Sequence, residues 1–525
     1  MTCQFTNERA TERPVPYTPS MSPFEFLFSE KNEANAFYQT RHLKEQPLRT
    51  IVLMFFLGCC VSSFAQTADA IVERIVGSAM THGGASAFLE KLSDGVGGRV
   101  TGSAESKAAA ELILQTLQEA GFRDAHFEEY SVESGWTRGP LDVRVVSPVE
   151  RTLFAISYAW VPGTDGTIEA PLVKGTLAAD GKLEGDASRF RGAAVIMDLR
   201  LPGSTSFSLN YLVNRTSVAR QLAGARASAM IIVSDKPHRL LNTSAFGFYP
   251  HGAIPVLSVS MEDGFLLHRL LAKGPVKLSL NVQNTFSKRP VTERNVVAEI
   301  PGVNPAETIL LGAHFDSWDP AEGANDNGSG VAAILESARI LKSLRVRPQR
   351  TIRFVFFSGE EQACLGSRAY AAAHRFELDR LRMVLIMDSG AQAPLGFLVN
   401  HRLDLEGPVQ KIIAPLTALA GGNVYPGGDP DSDHVPFQAE GVPALVLAVE
   451  DGEYAIHHHA ATDTLDKIDP RMLSLDTAVM ASAAYTFANA NEVAGRRLSP
   501  EEVHQYLKET GLADGFAILY GPGKP

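Results

Sequence analysis

Residues 308–319 read TILLGAHFDSWD, residues 351–362 read TIRFVFFSGEEQ and residues 383–389 read MVLIMDS. Each opens on a short, nearly unbroken apolar run and closes on acidic or imidazole side chains. Runs of this length and composition read as strands buried on both faces. Thr308 to Ala313, Thr351 to Ser358 and Met383 to Met387 are therefore three strands, and Ala444 to Val449 is a fourth. Between them, Gly328 to Leu341 and Leu365 to His374 carry helical periodicity. Strand and helix alternate from about Asn295 onward, which predicts an α/β domain with a mixed, largely parallel sheet flanked by helices.

The chemistry follows from where those strands end. His314 and Asp316 follow the first strand, Glu360 and Glu361 the second, and Asp388 ends the third. In an open α/β sheet, ligands bind outside the carboxyl ends of the strands. Three strands thus deliver imidazole or carboxylate to one rim. Asp326 falls in the loop before the first helix, and His457-His458-His459 lie in a later connection close to Asp463. Taken singly, an aspartate at a strand end is a turn or cap residue, and a Glu-Glu pair is a helix start favoured by the dipole. Taken together, nitrogen and oxygen donors without cysteine match a divalent metal such as zinc, manganese or cobalt.

Upstream, Ser103 caps a helix over Ala104 to Ala120 that Gly121 stops. From about Ser131 the pattern changes to short strands at 193–197, 229–233 and 254–259, with helices at 216–223 and 262–271. This segment holds no His, Asp or Glu cluster at ligand spacing and reads as an inserted binding or lid domain.

The first 65 residues stand apart. Ile51 to Val61 is the most apolar run in the chain and is too short to span a bilayer. Basic residues precede it and Ser63-Phe64-Ala65 follows, the layout of a secretory signal peptide cut after Ala65. The expected location is secreted or periplasmic, with no transmembrane helix in the mature form. A lipoprotein-type box at Phe56 to Cys59 is the lesser alternative. Cleavage would remove Cys3, Cys59 and Cys60 and leave Cys364 alone, so no intramolecular disulfide is expected. Six basic and six acidic residues cancel within 1–65, so the net charge of −11 belongs to the remainder. That acidity excludes the electrostatic footprint of a nucleic-acid binder.

The motifs together resemble the M28 metallopeptidases. His314-Phe315-Asp316-Ser317-Trp318-Asp319 with Ala324-Asn325-Asp326-Asn327-Gly328 is similar to the first metal motif, in the form seen in the carboxypeptidase Q group. Ser358-Gly359-Glu360-Glu361-Gln362, Met387-Asp388-Ser389 and His458-His459 with Asp463-Thr464-Leu465 resemble the later motifs. The inserted strands resemble a protease-associated (PA) domain, which makes the implied fold a zinc-exopeptidase α/β domain with an inserted, mainly-β PA-like unit. The implied boundaries are a leader at 1–65, peptidase segments at 66–135 and 289–495, the insert at 136–288 and a C-terminal tail at 496–525.

The resemblance implies two zinc ions, replaceable by cobalt or manganese. His314 and Asp388 would hold one, Glu361 and His459 the other, and Asp326 would bridge them. His458 is the alternative to His459, one residue away. Asp316 would orient His314, and Glu360 would be the general base. The implied activity is exopeptidase hydrolysis of short peptides, in aminopeptidase or dipeptidase/carboxypeptidase mode, and the group implies a homodimer. A glutaminyl cyclase with a single zinc and a non-catalytic binding protein of the same fold are the competing readings. Asp431 to Phe437 reads as a cleft wall or a turn. Tyr454 reads as a packed aromatic or a substrate contact.

Overall fold

A computed structural model of the protein describes residues 68–178, 181–197, 209–246, 252–428, 431–513 and 516. The expected leader and its cleavage site lie outside these residues, as does the side chain of Asn214 in a glycosylation sequon.

The chain begins with α1 (Ala68–His82), α2 (Ala85–Ser93) and α3 (Ala104–Glu119). The Ser103 side chain accepts a hydrogen bond from the Ser106 amide and so caps α3. Next come β1 (His126–Val132), β2 (Trp136–Thr137), β3 (Leu141–Ser147), β4 (Arg151–Thr152) and β5 (Ala155–Ser157). They are followed by β6 (Ile168–Gly175), β7 (Ala194–Met197), α4 (Leu209–Gly224), β8 (Ala229–Val233) and β9 (Val256–Val259). Then α5 (Met261–Leu271), β10 (Lys277–Val282) and β11 (Thr285–Phe286) lead to β12 (Val291–Ile300).

The sequence-predicted metal region starts with β13 (Asn304–His314) and α6 (Ser329–Ser343). It continues through β14 (Arg350–Phe357), α7 (Leu365–Ala373), β15 (Leu381–Ile386), β16 (Pro394–Leu398), α8 (Glu406–Ile413) and β17 (Val424–Tyr425). The described chain then adds α9 (Val435–Ala439), β18 (Ala444–Val449), α10 (Tyr454–His457), α11 (Pro470–Asn489) and α12 (Pro500–Glu509).

Two eight-stranded sheets result. The first has the order β1-β12-β14-β13-β15-β18-β16-β17. Its centre is parallel: β13 pairs with β14 on one side and β15 on the other, and β18 continues beyond β15. β13 is thus the point at which the strand order reverses, where such sheets open a crevice. One face carries the main core, in which Leu311, Phe354, Leu385 and the helices α1, α6 and α11 meet. The other face packs Val355, Phe357 and Val384 against Tyr370 of α7 and Phe437 of α9.

The second sheet, β4-β3-β10-β6-β7-β8-β9-β5, lies within residues 136–288. Its centre, β6 to β9, is parallel and is linked in part by α4, while α5 follows β9, so the segment holds helices as well as strands. The flanking strands β1 and β12 pair antiparallel, His126 with Val297, and return the chain to the first sheet. That pairing escapes local sequence reading because its halves are separated by the whole second sheet. The helix α11 escapes it too. Its mostly Ala, Ser, Met and Thr residues are buried on most sides, which removes the amphipathic stripe that would advertise a helix.

Candidate metal centre and catalytic site

His314 is the last residue of β13, and its neighbours in register place the end of β14 beside it. The imidazole is 1% exposed. Its Nδ1 lies 3.1 Å from the Asp316 carbonyl oxygen and 3.5 Å from Asp316 Oδ1. Its Nε2 faces Asp388 Oδ1 at 3.1 Å, Asp326 Oδ1 at 3.4 Å and Glu360 Oε2 at 3.9 Å. Asp316 also accepts hydrogen bonds from the Glu360 and Glu361 amides and from Thr101 Oγ1. One buried carboxylate therefore sets both the imidazole and the glutamate turn. That turn begins at Gly359, whose φ of +72° suits glycine and whose Cβ, if present, would collide with the Tyr130 hydroxyl.

Asp326 sits in a single irregular turn, Ala324–Gly328, whose neighbours hold it from both sides. Asn325 Oδ1 accepts from the Ala391 amide, and Asn327 Nδ2 donates to the Met387 carbonyl. The Asn325 and Asp326 amides donate to the two carboxylate oxygens of Asp463 at 2.7 and 3.1 Å. With its backbone so fixed, the Asp326 side chain faces inward. Oδ1 meets His314, whereas Oδ2 meets His459 Nε2 at 3.1 Å and His458 Nε2 at 3.4 Å.

The structure sorts the three histidines by contact. His457 Nδ1 pairs with Thr462 Oγ1 at 2.8 Å and lies outside the metal-ligand groupings. His459 Nε2 also meets Glu361 Oε2 at 3.0 Å. His458 stacks between the rings of His459 and Tyr454. All seven sequence-predicted site residues, His314, Asp316, Asp326, Glu360, Glu361, Asp388 and His459, therefore gather at one rim. Two overlapping groups, His314/Asp326/Asp388 and Asp326/His458/His459, have ligand atoms within 4.8 Å of one another.

Electrostatics shows what this gathering is suited to hold. Burial disfavours charge on His314 and His459, yet the facing carboxylates outweigh it. Asp388 leads at His314, holding that imidazole well above its usual range; Glu361 leads at His459, pushing it to about 10. The rim thus strongly favours positive charge. Glu361 Oε1 is buried without a hydrogen-bond partner among the described residues, while Oε2 accepts from Trp318 Nε1. Buried carboxylates with spare lone pairs are costly unless a cation joins them. Oxygen and imidazole donors around a shared carboxylate fit a divalent ion such as zinc.

Glu360 is held differently. Burial, aided by Asp388 and Asp433 and opposed by His314, pushes its carboxyl well above the usual range. A carboxylate that binds a proton this readily suits a general base. A cavity of about 720 Å³ opens at Asp388 and is lined by Tyr425, His434, Glu450 and Tyr454 among others. Asp431, Ser432 and His434 form part of its wall, whereas Asp433 is fully buried and is pushed to about 7 by burial, against His314. Tyr454 stacks on His458 and lines the cavity.

Arg99 carries no signal in the sequence. Fully buried, it donates from Nε to the Phe315 carbonyl, from Nη1 to Gly97 and Glu322, and from Nη2 to Gly323. It thereby staples the His314 and Asp326 loops together. Asp463, noted only for its spacing from His459, proves to be the acceptor that sets the Asp326 turn.

Comparison with known proteins agrees with this geometry. The sequence pattern of peptidase family M28 matches residues 295–484. The chain is 28% identical to carboxypeptidase Q of Mus musculus over 417 residues, covering 78% of this chain and 86% of that one. It is 26% identical to a probable lipoprotein aminopeptidase of Mycobacterium tuberculosis, covering 81% and 87%. Among solved structures, a peptidase M28 precursor of Shewanella amazonensis superimposes with a TM-score of 0.72 at 26% identity, over 82% of this chain and 99% of that one. A zinc aminopeptidase of Bacillus subtilis shares the fold, with a TM-score of 0.60 at 22% identity over 79% and 97%.

Proposed function

We propose that the chain, whose residues 295–484 match peptidase family M28, is a metallopeptidase that acts as a secreted dinuclear-zinc exopeptidase on short peptides. The observation that carries this reading is the Asp326 carboxylate. Its two oxygens face separate imidazoles, Oδ1 towards His314 and Oδ2 towards His459. A carboxylate so placed is a bridge between two sites, one completed by Asp388 and the other by Glu361. Residues 66–135 and 289–495 then make up the peptidase domain, and the second sheet is a PA-like insert. The apolar run at 51–61 with its small residues before position 66 supports export.

Zinc bound there would supply Lewis acidity, polarising a peptide carbonyl and making water acidic enough to lose a proton near neutral pH. The chain's own residues do the rest. Glu360 accepts the proton released from the attacking water and delivers it to the leaving amine. Asp316 keeps the His314 ring turned inward and, through the Glu360 and Glu361 amides, fixes the distance between base and ligand. The cavity beside Asp388 takes the peptide and has an apolar floor that includes Leu395 and Val446.

Metal analysis of the purified protein, paired with hydrolysis of free, N-acetylated and C-amidated dipeptides, tests this reading. Two zinc equivalents and cleavage of the free dipeptide are expected. Loss on acetylation marks an aminopeptidase, and loss on amidation marks a carboxypeptidase or dipeptidase. No cleavage of any of them by the metal-loaded protein would refute the exopeptidase assignment.

A further inference from the structure

The loop between β8 and β9 leaves the second sheet and reaches the histidine segment. Lys236, only 8% exposed, donates from Nζ to the carbonyl oxygens of Ala455 at 2.9 Å and Ile456 at 3.2 Å. Those carbonyls belong to α10, a single turn whose C-terminal oxygens have no continuing helix to satisfy them. An ammonium at that end completes the hydrogen bonding and opposes the helix dipole.

A second tie lies seven residues further on. The buried Thr243 amide donates to the His459 carbonyl at 2.9 Å. The Thr243 carbonyl accepts from Arg138 Nη2 at 3.0 Å, and Arg138 Nε holds Asp319 Oδ2 at 2.9 Å. A continuous path therefore runs from the loop after His314, through the second sheet's loop, to His459. Trp136, Trp160 and Trp318, the chain's three tryptophans, pack in one cluster at this junction.

His459 needs such support. Its φ is +54°, a left-handed conformation that is unfavourable for a non-glycine residue and persists only where surroundings impose it. We propose that Lys236 is a positioning residue for the metal-binding histidines. Carried by the second sheet, its ammonium anchors residues 455 and 456, and so keeps His458 and His459 facing Asp326. The second sheet then helps to build the metal site. This inference rests on His459 being a ligand.

The test uses the full chain and its Lys236→Met, Lys236→Gln and Lys236→Arg variants. Zinc affinity is measured by chelator competition and followed through tryptophan fluorescence, since Trp318 Nε1 touches Glu361. Loss of an outer hydrogen-bonding partner costs about 10–100-fold in metal affinity. That loss is expected for Lys236→Met, with a smaller one for Lys236→Gln, which can serve one carbonyl. Lys236→Arg should recover most of the affinity, and the thermal midpoint of the metal-free neutral variants should fall only modestly, because water can reach both partly buried carbonyls. Unaltered zinc affinity in both neutral variants overturns the proposal. So does an arginine variant that restores the metal-free midpoint without restoring affinity. A wild-type chain that binds no zinc overturns the metal assignment itself, and this proposal with it.

Discussion

Replacing Arg99 by methionine removes a guanidinium while keeping much of the side chain's volume. Its four hydrogen-bond acceptors are all backbone carbonyls, of Phe315, Gly97, Glu322 and Gly323. The bonds to Phe315 and Gly323 are fully buried, so water cannot replace them there; the other two are partly buried. A stranded buried acceptor costs about 1–3 kcal/mol, and a bond from a charged donor is worth more than a neutral one. Counting only the two buried bonds gives a loss of about 2–6 kcal/mol. The charge matters as well. Burial lowers the Arg99 pKa to about 10, partly offset by Asp463 and Asp316, so the group is cationic at neutral pH. Removing it leaves Asp316, Asp326 and Glu361 less compensated. Urea unfolding of the metal-free protein, followed by circular dichroism, should show the destabilisation, and Arg99→Lys should recover only part of it because an ammonium lacks the planar fork. An Arg99→Met midpoint within about 1 kcal/mol of wild type would show that the staple is not structural.

Glu360→Gln should retain metal by elemental analysis and lose about 10²–10⁴-fold in kcat, the usual worth of a general base; near-normal turnover would remove Glu360 from that role. Asp476 is a fully buried carboxyl on α11 without a hydrogen-bond partner among the described residues, pushed well above its usual range by burial. Its folded pKa exceeds its unfolded value, so its contribution is most favourable below about pH 4 and is lost as pH rises through the folded value. Asp476→Asn should therefore stabilise the chain at pH 7 and flatten that dependence, as thermal melts across pH would record. His374 is raised by its hydrogen bond to Glu128, and Glu128 is lowered because His374 outweighs burial. The pair should contribute about 1 kcal/mol between roughly pH 5 and 6.5. The contribution fades as pH rises through the His374 value or falls through that of Glu128, and His374→Gln should abolish this pH-dependent part of the melting curve.

The central strands, their order of chemistry and the rim they share were legible because the signals are local. A buried parallel strand announces itself as an apolar run, and the donor that follows it is its next neighbour in the chain. His314, Glu360, Glu361 and Asp388 are all of this kind. In the sequence, His458 and His459 are alternatives one residue apart. In the folded chain both Nε2 atoms face Asp326, and that of His459 also meets Glu361.

Other features exist only once distant segments meet. β1 finds β12 across the intervening sheet, and α11 hides its helical character because it is buried on most sides. Arg99 reaches the Phe315 carbonyl 216 residues away, and Lys236 reaches Ala455 across 219. Backbone carbonyls are the acceptors in both cases, and every residue type supplies one, so no pattern of side chains marks the partner. The sequence alone therefore determined which groups carry the chemistry and on which strands they ride. The tertiary structure decided what holds them: one buried guanidinium, the Asp463 carboxylate under the Asp326 turn, and an ammonium from the second sheet. Period and spacing record a residue's neighbours along the chain, whereas orientation at a site depends on contacts that only folding creates.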